Sequence, residues 1–167
     1  MNMKSIWFDM DGTIADLYKV EGWLPKLRNN DWSVYSECAP RHNYQRINAA
    51  VEALIENGWQ VGVITWASKG IGWGKDLDKI TEVKFNWLCK FFPALADGKF
   101  ACIPYGYSKA DFLEEMGDAY KVAYLVDDNK EVRGDWRSHS YNNKYGTEFK
   151  TINASRAYVR ALEGLVG

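Results

Sequence analysis

With 167 residues, 47% hydrophobic and 26% charged, the chain is long enough for one globular domain with a real core and room for a small insert. Its formal net charge of -1 excludes a general electrostatic attraction for nucleic acid or anionic membrane, so any phosphate has to be bound by a local site. No stretch approaches the ~18 apolar residues of a membrane span and no basic-then-apolar leader pattern is visible, so the expectation is a cytoplasmic protein with no membrane partner.

Lys4–Phe8 has strand propensity and runs straight into Asp9-Met10-Asp11-Gly12-Thr13. Residues i and i+2 of a strand share a face, so Asp9 and Asp11 aim two carboxylates the same way. They repel unless a cation lies between them or one holds a proton, which invites a metal and acid-base chemistry. Residues 16–40 fit neither a helical nor a strand template: Tyr18, Trp23, Trp32 and Tyr35 are scattered among Pro25, Asn29, Asn30 and Pro40, which predicts a small helical or irregular insert over the end of the sheet. From Tyr44 the spacing of Ile47, Ala50, Val51, Leu54 and Ile55 predicts an amphipathic helix stopped by Gly58. Residues 60–65, apolar and β-branched, predict a strand buried on both faces, followed by a glycine-rich loop over 69–74. Ile80, Val83, Trp87, Leu88 and Phe91 form the stripe of a second helix that Pro93 stops. Residues 100–103 make a short strand, Ser108 caps a helix through about Met116 that ends at Gly117, and residues 122–126 make a strand ending in Asp127-Asp128. Residues 149–152 read as an outer strand, and Asn153 as the cap of a last helix carrying Ala157, Val159 and Leu162.

Strands alternating with helices predict an α/β fold: a parallel sheet flanked by helices, with its active site beyond the carboxyl ends of the strands. Asp9, Thr65, Asp127 and Asp128 all fall at such ends, and Lys109 opens the helix before the last of them, the one fixed cation expected near the cluster. Cys38, Cys89 and Cys102 are odd in number and form no C-x-x-C pair, so reduced structural thiols are expected. His42 and His139 are isolated and fit surface or core roles better than metal binding.

Taken in order, Asp9-x-Asp11-Gly12-Thr13, the strand ending in Thr65, Lys109 and the strand ending in Asp127-Asp128 resemble the motifs of the haloacid dehalogenase-like (HAD) phosphohydrolase superfamily. The resemblance implies a Rossmann-like core over residues 1–15 and 41–167 with a small C1-type cap over 16–40 inserted after the first strand. It also implies roles. Asp9 is the nucleophile that becomes an aspartyl-phosphate, and Asp11 is the general acid and then base. The Thr65 hydroxyl and the backbone N–H groups of Met10 and Trp66 cradle the phosphoryl oxygens, and Lys109 neutralises charge. Mg²⁺ is the implied cofactor, held by Asp9, the Asp11 backbone carbonyl and one of Asp127 and Asp128, with Asp128 the favoured direct ligand. Residues 8–16 and 126–134, with Lys84-Phe85-Asn86-Trp87-Leu88, look like the 5'(3')-deoxyribonucleotidase family, although residues 66–74 do not match the segment that family carries after its threonine.

The activity so implied is Mg²⁺-dependent hydrolysis of a small-molecule phosphate monoester, of the (deoxy)nucleoside monophosphate class acted on by 5'-nucleotidases. Trp23, Trp32 and Tyr35 are then candidate stacking partners for a base, or else members of the insert's own small core. Two alternatives stay open. One is a nucleic-acid end (polynucleotide 3'-) phosphatase, against which the net charge weighs. The other is a non-catalytic HAD-fold binding protein, whose signature would be loss of Asp9 or Asp11, and both are present.

Overall fold

The computed structural model describes residues 3–167. Five strands, β1 (Lys4–Phe8), β2 (Gln60–Trp66), β3 (Lys99–Ile103), β4 (Val122–Asp127) and β5 (Glu148–Asn153), form one parallel sheet in the order β3-β2-β1-β4-β5. The helices are α1 (Trp23–Arg28), α2 (Ser33–Glu37), α3 (Tyr44–Glu56), α4 (Lys75–Phe91), α5 (Pro93–Ala96), α6 (Lys109–Glu115), α7 (Lys130–Ser138) and α8 (Val159–Gly164). Because the chain leaves central β1 toward β2 and later returns to β1's other side with β4, the carboxyl ends of β1 and β4 flank a topological switch point, where sheets of this kind bind ligands. The Asp9 N–H donates to the Val126 carbonyl at 2.9 Å, prolonging that ladder by one residue and fixing Asp9 beside Asp127.

The strands are apolar on both faces because helices cover both. Ile6, Phe8, Val61 and Val63 join the larger core with Leu54 of α3, Trp87 of α4, Leu95 of α5 and Leu162 of α8. Trp7, Ile64 and Leu125 pack on the opposite face against Leu113 of α6 and Trp136 of α7. Gly62 is required there, since a Cβ would collide with the Trp7 indole and the Lys99 carbonyl.

Several expectations need correction. Helix α7 is not announced by an apolar run; it is placed by Asn129, whose side-chain oxygen accepts the N–H groups of Glu131 and Val132 at 2.9 and 3.1 Å, and by burial of Val132 and Trp136. Asn153 caps no helix: its oxygen closes a local turn with the Ser155 N–H and hydroxyl, and α8 starts only after Tyr158. Pro93 stops α4 as expected and also opens α5, where its missing N–H costs nothing. Within α4 the inward position is Lys84 rather than Val83, which is half-buried.

Residues 16–40 leave and rejoin the core at one point, pinned by Asp16 N–H to Ala39 O and Arg41 N–H to Ile14 O, both 2.9 Å. The excursion holds a 3-10 turn (Leu17–Lys19), α1 and α2. Val34 and Tyr35 of α2 are buried in the larger core, and the Trp87 indole N–H donates to the Cys38 carbonyl at 2.8 Å, so α2 is tied to α4. The three cysteines are free. Among the described residues no helix is long and apolar enough to cross a membrane.

Candidate active site

The site is built on the turn after β1. The Met10 carbonyl accepts the N–H groups of Thr13, Ile14 and Ala15, all at 3.0 Å, which folds the chain back under the two aspartates. Gly12 sits at φ +81°, and a Cβ there would press into the Asp128 carboxylate and the Tyr18 ring, so only glycine suits both the backbone and the space. The Met10 side chain itself is buried in the core.

Asp9 is held from both sides. Its Oδ1 accepts Lys109 Nζ at 2.9 Å and its Oδ2 accepts the Thr13 hydroxyl at 3.2 Å. The Thr13 hydroxyl also lies 3.3 Å from Asp128 Oδ1, linking the β1 and β4 ends. Lys109 is only 3% exposed, donates to Asp127 Oδ2 at 2.8 Å and lies under the Trp66 ring at 5.4 Å. Burial alone would depress its pKa, but Asp127 and Asp9 outweigh that and raise it, so the ammonium stays charged. Asp127 has both oxygens committed, Oδ2 to Lys109 and Oδ1 to the Asn129 N–H at 2.9 Å, while its carbonyl accepts Arg133 Nη1 at 3.0 Å. Asp128 shares the Thr13 hydroxyl and lies against the Asp9 carboxylate, with no cation paired to it among the described residues. Burial, with the negative charges of Asp9 and Asp127, pushes its carboxyl up to about 7.

Lys84 is the residue that the sequence reading missed, and it corrects the expectation of a single cation at Lys109. Its Nζ donates to Asp11 Oδ2 at 2.8 Å, Thr65 Oγ1 at 3.0 Å and the Trp66 carbonyl at 2.7 Å, and lies 4.5 Å from the centre of the Tyr35 ring. Burial lowers its pKa, but Asp11 overrides burial and raises it, so this ammonium also stays charged. Asp11 keeps 17% of its side chain exposed; burial raises its pKa against the opposing pull of Lys84, with Asp9 adding to the rise. One lysine therefore serves each opening aspartate. The available signal was a lysine in register with Ile80, Trp87 and Leu88 on an otherwise apolar stripe.

Carboxylate oxygens of Asp9, Asp127 and Asp128 lie within 4.8 Å of one another. With Asp11, four carboxylates face two buried ammonium groups, a formal surplus of two negative charges. Hard oxygen donors with that surplus suit a divalent cation such as Mg²⁺. Both oxygens of Asp9 and of Asp127 already accept a hydrogen bond, so Asp128, which shares only the Thr13 hydroxyl, offers the freest oxygens.

A cavity of about 410 Å³ opens above the cluster. Asp9, Asp11, Asp127, Asp128 and Lys109 form its floor, and Trp23, Tyr35 and Trp66 line its walls. Thr65 is fully buried behind the wall with its hydroxyl bonded to Lys84, and Trp32 packs against the core instead of lining the cavity. The Tyr35 hydroxyl is paired with Ser68 at 2.5 Å and one side of its ring faces Lys84, so this tyrosine is a wall and support. Two aromatic pairs stand at the mouth, Tyr18 with Trp23 and Trp66 with Tyr105, each with ring centroids 4.9 Å apart. Tyr105 was not anticipated, being a turn residue with no periodic signal, and Tyr18, named among the aromatics of the insert though not as a leading contact, lies in its 3-10 turn.

No protein-family model matches the chain, and no curated protein matches it in sequence. Solved structures do. A Mesorhizobium loti protein described as a HAD-like phosphatase superposes with a TM-score of 0.59 at 12% identity, over 99% of this chain and 86% of that one. The D,D-heptose 1,7-bisphosphate phosphatase of Burkholderia thailandensis gives 0.51 at 16% identity, over 95% and 97% of the two chains. The Legionella pneumophila effector Ceg4 gives 0.52 at 13% identity, over 99% and 93%. The chain therefore has the α/β fold of HAD-like phosphatases, as its motifs implied.

Proposed function

We propose that this protein is a phosphatase that hydrolyses phosphate monoesters through an aspartyl-phosphate. The observation that carries the reading is the division of labour between two neighbouring carboxylates: Asp9 is held by Lys109 and Thr13 beside Asp127 and Asp128, while Asp11 is held apart by Lys84. The names of two structures that share the fold, a HAD-like phosphatase and a heptose bisphosphate phosphatase, point the same way.

In this reading an Asp9 carboxylate oxygen attacks phosphorus as the bond from phosphorus to the leaving oxygen breaks, giving an acyl phosphate and an alcohol. Asp11, its pKa raised by burial, delivers the proton to the leaving oxygen from the carboxyl oxygen that Lys84 does not hold. Asp11 then takes a proton from a water that attacks phosphorus, the bond to Asp9 breaks, and inorganic phosphate leaves. Lys109 stays charged throughout and offsets the charge building on the phosphoryl oxygens. Mg²⁺ would be held by Asp9, Asp128 and the Asp11 backbone carbonyl, with Asp127 orienting Lys109, and would shield the phosphate dianion from the attacking carboxylate.

The substrate class is a small phosphate monoester with a planar ring, as in the (deoxy)nucleoside monophosphates of 5'-nucleotidases, with residues 16–40 as the cap and Trp23 as its leading ring contact. The aromatic pairs at the cavity mouth support it. A cytoplasmic setting suits such a substrate and the three free thiols.

The test is Asp11→Asn incubated with an activated aryl phosphate and Mg²⁺, quenched and mapped by mass spectrometry. The leaving group then needs no proton while the deacylation base is gone, so one phosphoryl group should accumulate on the peptide containing Asp9. An adduct on any other residue overturns Asp9 as nucleophile.

A further inference from the structure

The rim of the cavity carries two cations with no side-chain partner among the described residues. Arg28, the last residue of α1, and Lys69, in the loop after β2, both line the cavity and are exposed. Among the described residues neither makes an ion pair or side-chain hydrogen bond. The other cations of the same excursion behave differently: Lys19 pairs with Asp16 at 3.4 Å and Lys26 with Glu37 at 3.2 Å. The carboxylates that line the cavity are the four of its floor, where Lys109 is already engaged by Asp9 and Asp127. Two separate elements thus bring unspent positive charge to one mouth, across the aromatic walls from the floor.

We infer that the substrate carries a second phosphate, which Arg28 and Lys69 bind while the scissile phosphate lies at Asp9. The inference rests on the phosphatase reading and narrows its substrate class. An arginine fork and a lysine ammonium together match the oxygens of a phosphate, and holding one group between α1 and the β2 loop would join the excursion to the core over the bound substrate. The second phosphate has two possible sources, a further monoester, as in a nucleoside 3',5'-bisphosphate, or the internal phosphodiester of a phosphate-terminated dinucleotide.

The experiment compares kcat/KM for a nucleoside 5'-monophosphate, its 3',5'-bisphosphate and a 5'-phosphorylated dinucleotide in the wild type, Arg28→Gln, Lys69→Gln and Lys121→Gln, the last an exposed lysine just before the amino end of β4, away from the carboxyl ends that carry the site. The wild type should prefer one of the two substrates that carry a second phosphate over the monophosphate by about tenfold or more, and Arg28→Gln and Lys69→Gln should each lower that ratio by about tenfold. Lys121→Gln should leave the ratio as it is. The same ranking should appear in calorimetric binding to Asp9→Asn, which needs no turnover. Preference for the bisphosphate or for the dinucleotide identifies the source. Equal kcat/KM for all three substrates, or a ratio unmoved by both rim variants, overturns the second-phosphate site while leaving the phosphatase reading intact. Rim-dependent binding to Asp9→Asn with no hydrolysis of any monoester by the wild type would instead keep the site and sink the phosphatase reading.

Discussion

Lys84 shows how much of a site can rest on one buried residue. Its ammonium is 1% exposed and bonded to Asp11, Thr65 and the Trp66 carbonyl, so it positions the proposed acid and braces the β2 end at once. Removing one partner of a buried pair leaves the other charge uncompensated, which typically costs about 3–5 kcal/mol. Asp11 keeps contact with solvent, which places Lys84→Met toward the low end, roughly 3 kcal/mol, with a fall in kcat that exceeds any change in KM. Urea denaturation checks the first and steady-state kinetics the second. Adding Asp11→Asn to Lys84→Met should recover part of the lost stability, because the stranded carboxylate is gone; a double variant as unstable as the sum of the two would show that the pair is not coupled.

At the scale of elements, α7 carries the acidic end of β4. Asn129 closes the first turn of α7 by accepting two N–H groups, and its own N–H anchors Asp127 Oδ1. Asn129→Ala should cost about 1 kcal/mol of stability as a lost N-cap, measurable as a lower denaturation midpoint with an unchanged slope. Helices α6 and α7 are also joined through His139, whose Nδ1 meets the Asp135 carbonyl at 2.9 Å and whose Nε2 meets Asp111 at 2.7 Å. Burial lowers its pKa, but the two oxygens facing it prevail and raise it above 6.5. Because the folded pKa is the higher one, this contribution to stability is fully present below the unfolded value and is lost as pH rises through the folded pKa. The stability difference between wild type and His139→Gln should therefore shrink across that window, as measured by thermal melts from pH 5.5 to 8.5. A constant difference would remove the charged pair from the account.

For the molecule as a whole, the formal surplus of two negative charges at the switch point is its most consequential electrostatic feature. It follows from topology: β1 and β4 are adjacent and parallel, so Asp9, Asp127 and Asp128 end in the same place. If Asp128 holds the metal as proposed, a proton and the metal would compete for its carboxyl, which burial, Asp9 and Asp127 push up to about 7. Apparent Mg²⁺ affinity should accordingly be flat above that pH and weaken roughly tenfold per pH unit below it, one proton being displaced per ion bound. Calorimetric titration with Mg²⁺ from pH 5.5 to 8 reads this directly; affinity independent of pH would exclude Asp128 as a ligand.

What the sequence determined by itself was whatever depends on neighbours along the chain. The β-branched runs dictate strands, the 3.6-residue stripes dictate α3 and α4, and Gly12 after two aspartates dictates the turn under Asp9, because these are local steric and solvation preferences. Alternation of strands and helices carried the parallel sheet with them, and with it the meeting of Asp9, Lys109, Asp127 and Asp128. Only the tertiary structure decided the rest. Lys84 looks like a surface lysine until α4 packs its stripe across β2 and delivers the ammonium to Asp11, 73 positions away. Thr13 joins two carboxylates that follow different strands, and α7 forms from a polar stretch because Trp136 finds a place against Trp7's face of the sheet. Among the aromatic residues of 16–40, Trp32 packs against the core and Trp23 lines the cavity, though composition treats them alike. Burial and pairing are set by what an element packs against, and a single chain of letters does not contain its distant neighbours.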